Sequence, residues 1–158
     1  MGVEIERKFL VASDAWRAAA DSGTPLEQGY LSDDPERVVR IRLAGTRAWI
    51  TIKGRGTDPA WRPEWEYPVP PADAKAMLAL AATPPLRKTR HRLPAGDLCW
   101  EIDVFAGPLQ GLVLAEIELP ALNTPFDRPP WLGADVTDDS RYSNARLAAD
   151  GMPDTAPS

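Results

Sequence analysis

The chain has 158 residues, of which 44% are hydrophobic and 26% charged, and its formal net charge is −5. This length and composition are those of one folded domain and exclude a largely disordered chain. The acidic balance argues against a protein that binds nucleic acid through its overall electrostatic field. No stretch approaches the roughly 20 apolar residues of a membrane span. From the charge and from this absence, we expect neither a nucleic acid nor a membrane as a partner.

The opening residues lack the apolar core of a signal peptide, and we therefore expect a cytoplasmic protein. Cys99 is the single cysteine of the chain, which excludes an internal disulfide. We expect one domain over residues 1–151, followed by a flexible C-terminal tail over residues 152–158, where the sequence is small, polar and rich in proline.

Segments that alternate with period two indicate β-strands with unlike faces. Eight such segments occur in the chain, at residues 3–11, 28–31, 37–43, 47–53, 62–69, 87–93, 98–105 and 112–119. Because eight antiparallel strands close comfortably into a barrel, we expect an α+β fold that is mainly β, namely a closed eight-stranded antiparallel β-barrel with a few flanking helices.

Three helices are predicted between and after these strands. Ser13 and Ser143 are suited to N-cap a helix, and Pro71 is suited to the first helical position. The predicted helices are a short one between Ser13 and Gly23, one over residues 72–81, and one over residues 144–149 that ends before Gly151.

One face of nearly every predicted strand is apolar, and the opposite face is almost entirely charged. Residues i and i+2 project from the same side of a strand, about 6.5 to 7 Å apart. The charged positions are Glu4, Glu6, Lys8, Arg40, Arg42, Lys53, Glu64, Glu66, Lys88, Arg90, Arg92, Glu101, Asp103, Glu116 and Glu118.

A solvated outer face is the simple explanation for any one of these strands. Across all of them the charges are sorted by sign, and like charges side by side destabilise a sheet unless something neutralises them. We therefore expect a barrel with a charged lumen, in which divalent cations lie between the carboxylates and a polyanion lies among the arginines and lysines. The Ile and Val positions should then lie outside the lumen.

The residue types indicate which ligands this lumen suits. Carboxylates without His or Cys partners favour hard cations, so Mg²⁺ or Mn²⁺ is the expected cofactor. The lone histidine, His91, alternates out of phase with Lys88 and Arg90 and should face away from the lumen. Arginine binds phosphate through two hydrogen bonds and lysine acts as a point charge, so several of each imply a small ligand with more than one phosphate.

Ordered motifs in this chain resemble those of the CYTH superfamily, the triphosphate tunnel metalloenzymes. Its N-terminal Glu-x-Glu-x-Lys signature is similar to Glu4-Ile5-Glu6-Arg7-Lys8. The later segments that resemble the family, in order, are Gln28-Gly29-Tyr30-Leu31, Val39-Arg40-Ile41-Arg42, Thr51-Ile52-Lys53-Gly54, Lys88-Thr89-Arg90, Trp100-Glu101-Ile102-Asp103, Ala115-Glu116-Ile117-Glu118, Val136-Thr137-Asp138-Asp139 and Arg141-Tyr142-Ser143-Asn144. The resemblance covers residues 2 to about 149, and the compact length is similar to the small bacterial members.

The resemblance implies roles for the charged positions. The principal metal-site carboxylates would be Glu4, Glu6, Glu116 and Glu118, with Glu64, Glu66, Glu101 and Asp103 as further ligands or supporting groups. The triphosphate would be held by Lys8, Arg40, Arg42, Lys53, Lys88 and Arg90. Arg141 and Tyr142 either close one mouth of the tunnel or simply pack the last helix.

The resemblance implies hydrolysis of inorganic triphosphate to pyrophosphate and phosphate as the leading function. The alternatives are a thiamine triphosphatase, a class IV adenylate cyclase, and a polyphosphate-binding module without turnover. Trp49, Trp61 and Trp65 are candidates for stacking on an organic group, although packing within a strand or loop is the favoured explanation for each of them. Neither the physiological substrate nor homodimer formation follows from the sequence.

The general base is the least explicit part of the site. Like charges and burial both lower the pKa of a lysine, so Lys53 and Lys88 are candidate catalytic bases beside Arg40, Arg42 and Arg90. Hydroxide on the metal is the alternative, and both lysines then serve only as phosphate ligands.

Overall fold

The fold is described by a computed structural model over residues 2–154, and it is an antiparallel β-sheet with two α-helices. The strands are β1 (Glu4–Val11), β2 (Thr24–Ser32), β3 (Arg37–Ala44), β4 (Arg47–Gly54), β5 (Trp61–Arg62), β6 (Glu64–Pro68), β7 (Leu86–Ala95), β8 (Leu98–Phe105), β9 (Val113–Glu118) and β10 (Leu132–Asp135). The helices are α1 (Pro71–Leu78) and α2 (Asn144–Asp150), with short 3₁₀ helices at Ala15–Ala18, Gly107–Leu109 and Ser140–Tyr142.

The strand order is β10-β1-β9-β8-β7-β2-β3-β4-β6, and β5 pairs with β1 beside this path. The expected closed eight-stranded barrel is wrong in two respects, since the sheet has ten strands and is not closed. The two ends of the sheet nevertheless approach each other, because β5 pairs with β1 at Glu4 and β6 pairs with β4 at Lys53. The sheet therefore curls into a tunnel-like shape.

Two sequence features account for the difference in strand number. The predicted strand over residues 62–69 is divided at Pro63, which has no amide hydrogen to donate to a ladder. The tenth strand, β10, pairs with β1 at Phe9 and Val11. It contains Gly133, where a Cβ atom would lie 3.0 Å from the carbonyl oxygen of Leu10, so the close approach of the two strands favours glycine.

The apolar face of the sheet forms the core outside the curl, as the alternation predicts. Ile102 and Ile117 are at most 1% exposed and pack with Trp16 of the first 3₁₀ helix and with Trp131. Helix α1 covers Ile41 on the same outer side. His91 also faces outward, because its ring lies 5.1 Å from that of Trp16.

A second apolar cluster ends the charged face on one side. Leu86, Phe105 and Leu114 are in phase with the charged residues of β7, β8 and β9, yet they pack with Tyr142 and Leu147. Helix α2 begins where predicted, with the hydroxyl oxygen of Ser143 accepting a hydrogen bond from the amide of Arg146. We name these five residues the apolar plug.

Within residues 2–154, none of the helices is long and apolar enough to cross a membrane. The last four residues of the predicted C-terminal tail lie outside the described part of the chain.

Candidate functional site

The antiparallel register brings the charged residues of neighbouring strands together on the inner face of the curl. Glu6 lies opposite Glu118, and Lys8 lies opposite Glu116. Across the next ladder, Glu116 lies opposite Glu101. The charged positions predicted from the sequence therefore share one concave surface, which we call the charged face.

One cluster on the charged face forms where the two ends of the sheet meet. The Nζ atom of Lys53 lies 3.0 Å from Oε2 of Glu4 and 3.3 Å from Oε2 of Glu64, and Arg62 also contacts Glu4 at 3.4 Å. Burial alone would raise the pKa of Glu4, but the Lys53 and Arg62 cations hold it well below the usual range. Burial and the Glu4 carboxylate raise the pKa of Glu64 to about 7.

Arg40 occupies the next position along this part of the face. Its guanidinium donates to the hydroxyl of Thr51 at 3.1 Å and to Glu66 at 3.3 Å, and Thr51 also donates to Glu66 at 2.6 Å. The Nε atom of Arg40 is buried and has no hydrogen-bond partner within residues 2–154. A buried N–H group without an acceptor can donate a hydrogen bond to an anionic ligand.

Arg42 differs from the other cations of the charged face. Among the described residues it has no carboxylate within ion-pair distance, and its Nε donates to the side-chain oxygen of Gln28 at 3.0 Å. Burial together with the nearby Arg40 and Arg90 cations lowers the pKa of Arg42 to about 9. A polyanion bound here would therefore stabilise the charged form of Arg42.

Asp103 joins two further cations. Its carboxylate accepts two hydrogen bonds from Arg90, at 2.8 and 2.9 Å, and its Oδ2 lies 2.7 Å from Nζ of Lys88. Burial would raise the pKa of Asp103, but Lys88 and Arg90 lower it to about 2. Burial, with Arg90 and Arg42 nearby, lowers the pKa of Lys88 to about 7.

The glutamates of β1 and β9 form the most acidic part of the charged face. Burial, with Glu116 and Glu4 nearby, raises the pKa of Glu6 well above its usual value. Burial, with Glu4 and Glu101 nearby, also raises the pKa of Glu118. Glu116 contrasts with both, because Lys8 at 3.7 Å and Arg90 at 3.5 Å lower its pKa against the effect of burial.

Glu101, which lies opposite Glu116, is paired with two arginines. Its carboxylate lies 3.3 Å from Arg90, which is mostly buried, and 3.0 Å from Arg92, which is exposed. Within residues 2–154, no three of these carboxylates are grouped so that they could hold a metal ion. Most of them are instead paired with the lysines and arginines of the same face.

Sequence reasoning missed four polar residues of this site: Gln28, Tyr30, Thr51 and Asn144. Thr51 is in phase with Lys53, so the alternation itself could have identified it. Gln28 and Tyr30 lie opposite Arg42 and Arg40, respectively, and only the β2–β3 register reveals this. Asn144 reaches Lys88 through the packing of α2, for which the sequence has no local signal.

Known proteins are similar to this chain over most of its length. A family model described as the CYTH domain matches residues 2–150. An inorganic triphosphatase from Acetivibrio thermocellus is 40% identical over 148 residues, which are 93% of this chain and 94% of that protein. An inorganic triphosphatase from Nitrosomonas europaea is 37% identical over 150 residues, covering 92% and 96%, respectively.

Solved structures have the same fold. The crystal structure of the inorganic triphosphatase NE1496 superposes with a TM-score of 0.64 at 34% identity, covering 94% of this chain and 95% of that one. The PH1012 protein from Pyrococcus horikoshii superposes with a TM-score of 0.60 at 18% identity, covering 76% of this chain and 80% of that one. At that identity the second likeness concerns the fold alone.

Proposed function

The chain belongs to the CYTH domain family, and we propose that it hydrolyses inorganic triphosphate to pyrophosphate and phosphate. The observation that carries the proposal is the pair of neighbouring arginines on the charged face. Arg42 has no carboxylate partner in the described part of the chain, and Arg40 keeps a buried donor unsatisfied. Such groups fit a small, highly charged anion.

The surroundings of the charged face favour an inorganic substrate over an organic triphosphate. The apolar plug ends the face on one side, and its side chains are purely hydrocarbon except for that of Tyr142, so it is poorly suited to a polar base or sugar. Trp61 lies in register with Ile5, and Trp65 with Ile52, so both belong to the outer face. Trp49 is on the charged face, but the Arg47 guanidinium lies over its ring at 5.2 Å.

The proposed role of the cations is to hold and orient the triphosphate. Phosphoanhydride hydrolysis depends mostly on positioning and on neutralising charge. The oxygen of a water molecule forms a bond to a terminal phosphorus, the bond from that phosphorus to the bridging oxygen breaks, and pyrophosphate leaves. The side chains proposed to bind the substrate are Lys8, Arg40, Arg42, Lys53, Lys88 and Arg90.

The carboxylates of the charged face fit a divalent cation. Dependence on a metal ion is a general property of the family. Burial and neighbouring carboxylates raise the pKa values of Glu6 and Glu118, so a bound cation would stabilise their charged forms. We propose Glu4, Glu6, Glu116 and Glu118 as the principal ligands, supported by Glu64, Glu66, Glu101 and Asp103. Oxygen-only ligands favour Mg²⁺ or Mn²⁺, and such an ion supplies charge neutralisation at the phosphate oxygens.

Between the two candidate bases, the contacts favour Lys88. Two carboxylates, those of Glu4 and Glu64, surround the Lys53 ammonium and stabilise its charge. Lys88 has one carboxylate partner, Asp103, and shares it with Arg90. Because the pKa of Lys88 is lowered to about 7, its neutral form is accessible near neutral pH. We therefore assign the acceptance of the water proton to the neutral Lys88 amine and charge neutralisation to Lys53. We also propose that the protein is cytoplasmic and that its binding partner is a small polyanionic substrate.

The test is ³¹P NMR of reactions with inorganic triphosphate, thiamine triphosphate, ATP and pyrophosphate, each with Mg²⁺, with Mn²⁺ or with a chelator. We expect one pyrophosphate per phosphate from inorganic triphosphate and no turnover with the chelator. Arg42→Gln should raise KM about 10- to 100-fold, because charge-assisted hydrogen bonds contribute about 1.5–3 kcal/mol.

The matched control is Arg55→Gln, since Arg55 forms an exposed ion pair with Glu36. Its kinetics should equal those of the wild-type protein. Faster turnover of thiamine triphosphate than of inorganic triphosphate would replace the proposed substrate. Binding of triphosphate without any turnover would indicate a polyphosphate-binding module instead.

A further inference from the structure

Helix α2 is attached to the sheet at several independent points. Leu147 and Tyr142 are 1% and 5% exposed within the apolar plug, and Ser143 caps the helix. On the outside, the Arg146 guanidinium pairs with Asp33 of the β2–β3 connection. The first residue of the helix, Asn144, is therefore held at a defined place beside the charged face.

The side chain of Asn144 connects two cations of that face. Its Oδ1 accepts a hydrogen bond from Nζ of Lys88 at 2.8 Å and a second one from Nε2 of Gln28 at 3.3 Å. Gln28 is fully buried, and its Oε1 accepts from Nε of Arg42 at 3.0 Å. A single chain of hydrogen bonds thus runs from Arg42 through two amides to Lys88.

The chemistry of the end groups determines how both amides are turned. Protonated lysine and arginine side chains only donate hydrogen bonds. The amide atom that faces Lys88 must therefore be the oxygen of Asn144, and the atom that faces Arg42 must be the oxygen of Gln28. The amide nitrogen of Gln28 is then left to donate to Asn144, and it also lies 3.0 Å from the hydroxyl of Tyr30.

Neutral amides have an advantage over carboxylates at this place. Lys88 also contacts Asp103, and that carboxylate alone would draw the ammonium toward β8. The oxygen of Asn144 provides a second acceptor on the side of α2, so the ammonium is held between two fixed points. Because the amide carries no net charge, it orients a cation without adding repulsion toward a phosphate.

We propose that Asn144 is a positioning residue, which fixes the Lys88 ammonium and, through Gln28, the Arg42 guanidinium for the bound polyanion. This inference rests on the proposed function of the charged face. It adds a group from the C-terminal helix to a site otherwise built from strands. Because Asn144 acts through Lys88, removal of its side chain should lower the turnover rate of the bound substrate more than it weakens the binding of the substrate.

The test is a double-mutant cycle of Asn144→Ala and Lys88→Arg, with kcat and KM measured for inorganic triphosphate and Mg²⁺. In the wild-type background, Asn144→Ala should lower kcat about 10- to 100-fold and change KM less than about threefold. In the Lys88→Arg background, Asn144→Ala should lower kcat less than about twofold, because the hydrogen bond between residues 88 and 144 is already altered. Ala149→Ser, at an exposed position of the same helix, is the matched control and should keep the wild-type kcat.

A second measurement does not need turnover. The lysines of the chain are Lys8, Lys53, Lys75 and Lys88, so protein with ¹³C-labelled lysine gives few ε-methylene signals. The Lys88 signal, assigned by its loss in Lys88→Arg, should move in Asn144→Ala and stay in place in Ala149→Ser.

Additive losses in the cycle, an unmoved Lys88 signal, or a loss of kcat that follows a lowered Tm would each overturn the inference. These outcomes are distinct from failure of the proposed function. A wild-type protein that leaves inorganic triphosphate intact overturns the function, and the lysine spectrum still decides whether Asn144 positions Lys88.

Discussion

The Nζ atom of Lys88 lies 2.7 Å from Oδ2 of Asp103, and neither side chain exposes more than 1% of its surface. Arg90 completes this arrangement by donating two hydrogen bonds to the same carboxylate. One buried negative charge thus compensates two cations. Its removal would leave Lys88 without its carboxylate partner, and Arg90 with only the more distant carboxylates of Glu101 at 3.3 Å and Glu116 at 3.5 Å.

Asp103→Asn should lower the free energy of unfolding by about 3–5 kcal/mol, the range for breaking a buried ion pair by removing one partner. Urea unfolding of the metal-free protein measures this change. Glu101→Gln is the comparison, because Glu101 is more exposed, and it should cost clearly less. Equal losses for the two variants would show that burial of Asp103 has no special energetic weight.

Lys88→Arg should lower kcat at least tenfold more than it changes KM, since the substitution keeps a positive charge but replaces the amine that we assign to proton transfer. Lys53→Arg is the matched variant on the other side of the face, and its effect should fall mainly on KM. Steady-state kinetics with inorganic triphosphate separate the two roles. A Lys88→Arg enzyme with wild-type kcat would remove Lys88 as the base.

Glu4 and Glu6 should respond in opposite ways when each is changed to glutamine in the metal-free protein. Glu6 lies among like charges, so Glu6→Gln should raise the stability by on the order of 1 kcal/mol, which corresponds to about 2–4 °C in Tm. Glu4 compensates Lys53, so Glu4→Gln should lower Tm.

Both variants should lose several orders of magnitude in turnover. Thermal unfolding by circular dichroism, with activity measured on the same samples, checks the two effects together. An activity loss that follows a lowered Tm in Glu6→Gln would assign Glu6 to folding rather than to the metal site.

The acid stability of the protein should depend in part on Asp135, which lies outside the charged face. Hydrogen bonds from Thr137 and the Arg7 cation lower its pKa, although burial opposes them. A lowered pKa stabilises the folded state above the ordinary pKa of aspartate, and this stability is lost as the pH falls through the lower folded value.

Asp135→Asn should therefore reduce stability at neutral pH and make the acid branch of the stability curve less steep. Urea unfolding from pH 7 down to pH 2 measures both effects. Asp138→Asn, at a neighbouring exposed position, should leave the curve unchanged. An Asp135→Asn curve that runs parallel to that of the wild type would contradict the assignment.

The faces of the strands were predictable from the sequence, because period-two alternation is a local property of each strand. Ile102 and Ile117 lie in the outer core, and Asp103 and Glu116 lie on the charged face, as the pattern indicates. The start of α2 was predictable for a similar reason, since the capping of a helix by Ser143 depends only on nearby residues.

The open edges of the sheet and the contacts of α2 were not predictable, because they depend on tertiary packing. Pro63 interrupts a segment that otherwise alternates like one strand, and β10 is too short to show a period. The link from Asn144 to Lys88 joins residues 56 positions apart in the chain. Local patterns carry no information about such a distance.

The central claim is that the charged face recognises inorganic triphosphate rather than a nucleotide, and the ratio of kcat/KM for inorganic triphosphate to that for ATP tests it most directly. With Mg²⁺ present, we predict a ratio of at least ~10, which corresponds to about 1.4 kcal/mol of transition-state discrimination. The physical reason is that the proposed ligands of the substrate are lysines and arginines, which pair with phosphate groups, and that the apolar plug ends the charged face on one side. A ratio near or below one, or formation of cyclic AMP from ATP at a comparable rate, would contradict this account.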